Sequence, residues 1–221
     1  MNEIYILGVG PGDPDFITIY GKNILNDADC VAGFNSAINV VEKYIKGQKI
    51  IIDYKNEREM LKFISEEARK GIKCVIVCYG DPNFSDIQFI QKIKSFYNNI
   101  KIIPGISSIQ IALSKSEIPF EESVFITFHK SGFLEYEKEE LLKYVREGNR
   151  NVILLPRPWD FMPKEIAEYL ILNGISGDIE TIIYENLTLK DEKTYNMYLR
   201  DLRIMDKKFS DLTILIIKRK N

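Results

Sequence analysis

The sequence predicts an α/β protein of two domains, the first built on a parallel, doubly wound sheet. Three observations carry this. Short apolar runs alternate with segments of helical periodicity from residue 4 to residue 113. The first run ends in Gly8-Val9-Gly10-Pro11-Gly12-Asp13-Pro14, and a glycine-rich turn after a buried strand is where open α/β sheets place a ligand loop. The rhythm then breaks at Ser114-Lys115-Ser116-Glu117-Ile118-Pro119 before a second alternation begins. Domains are therefore expected at 1–114 and 120–221.

In order, the apolar run from Ile4 reads as a first strand and residues 17–26 as a short helix. Residues 30–34 form a second strand, and Asn35 is placed to cap a helix over 36–45. A third strand covers 49–53. Asn56 with Glu59 makes a capping-box pattern before the helical stripe Met60, Leu61, Ile64 and Ala68. Residues 74–79 are a fourth strand. Ser85 with Gln88 makes a second capping-box pattern for a helix to about Tyr97. A fifth strand at 100–103 leads through Pro104-Gly105 to a helix that Ser107 can cap. In the second half, strands are read at 124–128, 152–155, 179–184 and 212–217. Helices are read at 136–146 and 163–172, with a short one near 195–202.

With 221 residues, 45% of them hydrophobic and 28% charged, the chain can bury the core of one large or two small domains. A formal charge of -2 gives no basic excess, so nucleic acid is not an expected partner. No apolar run approaches the roughly 20 residues that cross a bilayer, and the N-terminus has no basic region with a cleavage site. The protein is expected in the cytoplasm, without a membrane partner. Three cysteines fit a reducing compartment. Cys74 and Cys78 share one face of their strand and read as small buried hydrophobes. With one histidine, and Cys30 distant in sequence, no protein-bound metal is expected.

Gly12-Asp13-Pro14 recurs as Gly80-Asp81-Pro82, both times after a strand, and a third strand end gives Pro104-Gly105-Ile106-Ser107-Ser108. A lone Gly-Asp-Pro is usually a turn; three such loops on one sheet edge indicate a binding site. The loop is not a dinucleotide fingerprint. Asp13 stands where the third glycine would, its charge repels phosphate, and Pro11 and Pro14 remove two amide donors. Ionised Asp13 and Asp81 only accept hydrogen bonds, so they suit hydroxyls, amines or a cation. Ser107 and Ser108 offer hydroxyls and helix-start amides, which suit a carboxylate. S-adenosylmethionine combines ribose hydroxyls, an amino group, a carboxylate and a sulfonium. An amino acid or a sugar satisfies the same set.

His129, the single histidine, ends a predicted strand. It reads either as a polar strand cap or as a substrate contact and proton acceptor near neutral pH. Arg157 reads as a solvated charge or as a partner for a substrate carboxylate. Trp159 and Phe161 are expected to pack.

In order and spacing, Gly8-Val-Gly-Pro-Gly-Asp-Pro, Gly80-Asp-Pro-Asn-Phe and Pro104-Gly-Ile-Ser-Ser resemble the tetrapyrrole methylases. Phe128-His129, Leu154-Leu155-Pro156 and Glu185-Asn186-Leu187 with Asp191-Glu192 resemble one branch, the cobalt-precorrin-7 C5-methyltransferases of anaerobic cobalamin synthesis. The resemblance covers nearly the whole chain. It implies a parallel N-terminal sheet, a mixed α/β C-terminal domain and a ligand cleft between them. It implies S-adenosylmethionine as methyl donor, contacted by Pro11, Tyr79, Gly80, Asp81, Phe84, Ser107, Ser108, Leu155, Asn196 and Met197. By the same resemblance, His129 and Asp13 are the candidate catalytic groups, and Gly10, Lys130 and Arg157 the candidate substrate contacts. The substrate would be a macrocycle with acetate and propionate arms.

Three residues depart from the family pattern. Tyr79 stands where a small residue is usual, Asn83 replaces a common glycine, and Lys130-Ser131 stand where this branch usually shows Gly-Arg. Lys130 is a substitute for the missing positive charge. A homodimer is implied by the family. Some relatives fuse a further domain that methylates C15 and removes a carboxyl group; this sequence stops four residues after its last predicted strand, so that activity is expected on a separate partner. Two alternatives remain: another methylase of the superfamily, including diphthine synthase, which modifies a protein histidine; and a non-catalytic α/β protein binding a ligand with the same loops.

Overall fold

The computed structural model describes residues 3–220. The chain divides into two compact units, 1–108 and 109–221.

The first unit holds β1 (Ile4–Gly8), α1 (Ile19–Asn26), β2 (Cys30–Phe34), α2 (Asn35–Val41), β3 (Gln48–Ile52), α3 (Glu57–Arg69), β4 (Cys74–Cys78), α4 (Pro82–Ser85), α5 (Ile87–Phe96) and β5 (Ile100–Ile103). The five strands form one sheet in the order β3-β2-β4-β1-β5, and every pairing is parallel. Alternate residues feed two cores. Ile4, Ile6, Cys30, Ala32, Cys74 and Ile76 pack with Leu61, Ile64 and Ala68 of α3 and Ile90 and Ile93 of α5. Leu7, Val31, Val75 and Val77 pack with Leu25 of α1 and Ala37, Ile38 and Val41 of α2. Apolar strands without alternation are what a sheet covered on both faces requires. Cys74 and Cys78 do share one face, and the register sets Cys30 beside Cys74.

Helix starts differ from the sequence expectation where local hydrogen bonds compete. α1 begins at Ile19 because Thr18 Oγ1 accepts from the Gly21 amide (2.9 Å). Asn35 is the first residue of α2, and no side chain caps that helix. Asn56 does not cap α3. Its Oδ1 accepts from the Asp53 amide (2.8 Å) and its Nδ2 donates to the Ile51 carbonyl (3.1 Å), a local turn that satisfies the side chain first. Ser85 ends α4 instead of capping α5.

α6 (Ser108–Ser116) leads into the second unit, which adds β6 (Ser123–Thr127), α7 (Glu135–Glu147), β7 (Asn151–Leu155), α8 (Pro163–Leu172), β8 (Glu180–Glu185), β9 (Lys193–Tyr198), α9 (Leu199–Ile204) and β10 (Thr213–Ile217). Its sheet runs β6-β7-β10-β8-β9. Only β6 and β7 pair in parallel; the other three pairings are antiparallel. The sheet is therefore mixed. β9 corrects the helix expected from residue 195. Tyr195 and Met197 alternate onto the core while Asn196 and Tyr198 face away, so the segment has a strand's period and pairs with β8. The helix starts only at Leu199.

Candidate active site

Three loops of the first unit close on one another at the carboxyl edge of its sheet. The Gly10 amide donates to the Gly80 carbonyl (3.2 Å), and the Gly80 amide donates back to the Gly10 carbonyl (2.8 Å). A Cβ added to Gly8 would lie 2.5 Å from the Gly105 nitrogen and 2.7 Å from the Gly80 carbonyl oxygen. One added to Gly105 would lie 2.3 Å from that same oxygen. Glycine is thus required where the three backbones meet. The loops follow β1, β4 and β5. β1 and β4 are neighbours, yet the chain leaves β1 toward β2 and leaves β4 toward β5, in opposite directions along the sheet. In open α/β sheets such divergence marks the ligand position.

The repeated Gly-Asp-Pro builds the same corner twice. Gly12 and Gly80 take positive φ, 139° and 69°. Asp13 Oδ1 accepts from the Asp15 amide (2.9 Å) and Asp81 Oδ1 from the Asn83 amide (2.8 Å), each capping a helical turn. Pro14 and Pro82 follow at the first helical position, where a missing N–H costs nothing. Asn83 Nδ2 also donates to Asp81 Oδ1 (2.7 Å), so the residue replacing the family's glycine steadies the cap. Among the described residues, Asp81 Oδ2 has no hydrogen-bond partner. Tyr79 has a positive use as well: its hydroxyl donates to the Pro11 carbonyl and ties the second loop to the first.

Phe84 lies within α4 and is half-buried. Ser107 is buried just before α6, and Ser108 is the first residue of that helix. The space over Gly80 is open: an added Cβ there would find only the Ser108 nitrogen, 3.9 Å away. Asp86, which the sequence did not single out, sits between α4 and α5. Burial pushes its carboxyl up to about 6, against a hydrogen bond from the Cys78 thiol and with the Asp81 charge adding to the rise. Cys78 is itself held well above the ordinary thiol range, first by burial and then by Asp86.

The second unit carries the other candidates. His129 follows β6 by two residues, and its amide donates to Thr127 Oγ1 (3.2 Å). Loss of solvation on its protein side lowers the imidazole pKa, against the pull of the Asp211 charge. Lys130 Nζ pairs with Glu137 of α7. Arg157 Nε and Nη2 donate to Asp160 (2.5 and 2.8 Å), and its Nη1 donates to the Gly132 carbonyl (2.8 Å). Arg157 therefore fastens its own turn to the loop after His129. The ring centroids of His129 and Trp159 are 6.4 Å apart. Phe161 packs as expected, edge-on to Phe128 at 4.8 Å, but Trp159 is 56% exposed. Leu155 ends β7 and accepts from the Phe128 amide (2.8 Å). Asn196 and Met197 lie on opposite faces of β9, Asn196 exposed and Met197 against the core.

Glu185 ends β8 almost wholly buried (6% exposed). It accepts from the Ser210 amide (2.8 Å) and from the Tyr195 hydroxyl (3.3 Å) and pairs with Lys207 (3.1 Å). Burial raises its pKa, and those three partners together outweigh that and leave it lowered. Next to it the chain takes positive φ at Asn186 (54°) and Thr188 (70°). Asp191 holds the Asn186 amide group (2.6 Å), and Glu192 accepts from the Thr188 N–H (2.8 Å). The Glu-Asn-Leu…Asp-Glu motif is thus one self-bonded turn. Its fixed carboxylates offset a backbone conformation that β-branched threonine rarely adopts.

Among the described residues no helix is long and apolar enough to cross a membrane. The family model for Tetrapyrrole (Corrin/Porphyrin) Methylases matches residues 3–203. A probable cobalt-precorrin-7 C(5)-methyltransferase from Methanocaldococcus jannaschii is 35% identical over 214 residues, 96% of each chain. Two solved structures share the fold. Precorrin-6Y methylase from Archaeoglobus fulgidus superposes with a TM-score of 0.72 at 22% identity, over 99% of both chains. Uroporphyrin-III C-methyltransferase from Thermus thermophilus, solved with S-adenosylhomocysteine, gives a TM-score of 0.76 at 18% identity, over 98% of this chain and 92% of that one. With three loops joined at Gly8, Gly80 and Gly105 and a family match over residues 3–203, the chain belongs to the tetrapyrrole (corrin/porphyrin) methylases.

Proposed function

We propose that the chain methylates C5 of cobalt-precorrin-7 in cobalamin biosynthesis, with S-adenosylmethionine as donor. The observation that carries the donor side is the glycine junction. It leaves open space over Gly80 up to the Ser108 nitrogen at the start of α6, and the next residue, Asp81, keeps an uncommitted Oδ2. That set fits the donor. Asp81 Oδ2 is available to hydroxyl or ammonium donors, and Ser107 and Ser108 are candidates for a carboxylate. Pro11, Tyr79, Gly80 and Phe84 complete the first unit's contacts in this reading; Leu155, Asn196 and Met197 are the second unit's candidates. Bound there, the donor supplies an electrophilic methyl group to an electron-rich ring carbon. Positioning supplies most of the rate, on the order of 7–11 kcal/mol for an ideal arrangement of both reactants.

The substrate side falls to Gly10, His129, Lys130 and the turn that Arg157 fastens. Asp13, committed through Oδ1 to its helical turn, acts in this reading by shaping the first loop. His129, with its pKa lowered, is neutral at physiological pH and able to accept a proton from the methylated carbon. The reading extends to a homodimer in the cytoplasm, with C15 methylation and decarboxylation on a separate protein.

The test is incubation of the purified chain with S-adenosylmethionine and cobalt-precorrin-7, followed by mass spectrometry and an NMR assignment of the labelled methyl. One added methyl at C5, with no carbon dioxide released, is expected. A second methyl, a lost carboxyl or another ring position overturns the assignment. In the same assay His129→Ala is expected to reduce turnover while calorimetry shows S-adenosylhomocysteine bound as in the parent chain.

A further inference from the structure

The second unit contains a cavity of about 350 Å³ on one side of the turn that Arg157 fastens. It lies between the turn after β7, the start of α8 and the segment after α9, and its wall includes Trp159, Lys164, Asp206 and Lys208. Trp159 is fixed there by the chain on either side. Arg157 and Phe161 exchange both backbone hydrogen bonds (3.1 and 3.0 Å), which closes Pro158-Trp159-Asp160 into a tight turn. The Arg157 guanidinium stands 5.5 Å from the Trp159 ring centroid and is held by Asp160 and Gly132. The ring is therefore a fixed wall, exposed to solvent.

The charges lining the cavity sort themselves. Asp160 is spent on Arg157, Glu165 accepts from the Met162 amide (3.1 Å), and Lys207 is spent on Glu185. That leaves Lys164 and Lys208 against Asp206 and the carboxylate of Glu165, so the lining is neutral in sum. Among the described residues, however, neither lysine is engaged in an ion pair, and both stand beside the N-terminus of a ten-residue helix. An exposed indole face next to uncommitted cations selects a ligand that is apolar on one side and anionic on the other. The volume sits at the low end of small-ligand pockets, about 300–1,000 Å³. It is suited to a ring edge with its carboxylated arms more than to a whole macrocycle.

We propose that this cavity takes the carboxylate side arms of the substrate, with Trp159 against the ring edge and Lys164 and Lys208 on the carboxylates. This rests on the tetrapyrrole reading above and names residues that fix which arms are accepted.

Trp159 is the only tryptophan, so tryptophan emission originates at this wall alone, and the lysine variant shows whether quenching comes from a ligand bound here. The intact protein is titrated with uroporphyrin, an octacarboxylate tetrapyrrole, and separately with tricarballylate, a free tricarboxylate. Uroporphyrin is expected to quench Trp159. The Lys164→Gln/Lys208→Gln double variant is expected to weaken that binding roughly tenfold, with S-adenosylhomocysteine affinity unchanged as proof of an intact fold. Quenching that is absent, or equal in the double variant, overturns the proposal. So does a lysine-dependent response to tricarballylate with none to uroporphyrin, which would make the cavity a free-acid site. Unchanged KM for cobalt-precorrin-7 in the double variant removes the cavity's role while leaving the C5 assignment standing. Lysine-dependent quenching by uroporphyrin without methyl transfer to cobalt-precorrin-7 supports the cavity and removes the C5 assignment.

Discussion

Gly10 and Gly80 exchange both of their backbone hydrogen bonds, so the loops after β1 and β4 are stitched together at a single pair of residues. Gly105 is wedged beside that stitch, its Cα facing the Gly80 carbonyl. Rigidity here comes from backbone contact, which no side-chain rearrangement can relieve.

Gly105→Ala is expected to damage stability and donor binding together. The new methyl would sit 2.3 Å from a carbonyl oxygen, and the loops must part to admit it. Overpacking of this kind costs about 1–3 kcal/mol. Thermal melts should show that loss, and calorimetry with S-adenosylhomocysteine should show weakened binding even well below the new melting temperature.

Asp81 is expected to separate a cap from a charge. Asp81→Asn keeps a side-chain oxygen for the Asn83 amide and should melt like the parent chain. It should still bind the donor less well, since a charge-assisted hydrogen bond is worth roughly 1.5–3 kcal/mol. Asp81→Ala should lose that and about 1 kcal/mol of stability from the missing cap. Equal donor affinity in the parent and the Asn variant would remove Asp81 from the donor site.

Asp86 is expected to be a stability cost at neutral pH. Its carboxyl titrates at about 6 in the folded chain, raised from 3.8. The folded state thus favours the protonated form. Its contribution is intact below about pH 4 and is lost as pH rises toward 6, by up to about 3 kcal/mol. Asp86→Asn keeps an acceptor for the Cys78 thiol and removes the charge. It should raise the melting temperature at pH 7.5 and leave it nearly unchanged at pH 3.5; a variant less stable at pH 7.5 would show that the charge is needed.

Glu185 is expected to behave in the opposite sense. Its pKa is lowered, so its contribution is present above the ordinary glutamate value and is lost as pH falls through the folded value. Glu185→Ala strands Lys207 and frees Ser210 and Tyr195, and breaking a buried pair from one side costs about 3–5 kcal/mol. Chemical denaturation at pH 7 measures the loss, which should shrink in acid.

The sequence by itself determined the parallel N-terminal sheet and the family. Both rest on local signals: apolar runs of strand length, and Gly-Asp-Pro corners where a positive-φ glycine, a capping aspartate and a proline must follow in that order. It did not determine which polar residue closes each turn. Asn56 and Ser85 carry capping-box patterns, but the Asn56 side chain is taken by the turn before α3 and Ser85 is the last residue of α4. The helix read near 195–202 began too early, because a run this short has the length of either element; pairing with β8 made residues 195–198 strand and left the helix to start at Leu199. Only tertiary structure brought Gly105 against Gly8, set Cys30 beside Cys74, desolvated Asp86 against the Cys78 thiol, and left Trp159 exposed while Phe161 packed. Each depends on where residues distant in sequence come to rest, and close approach, desolvation and exposure are properties of that arrangement and of no local pattern.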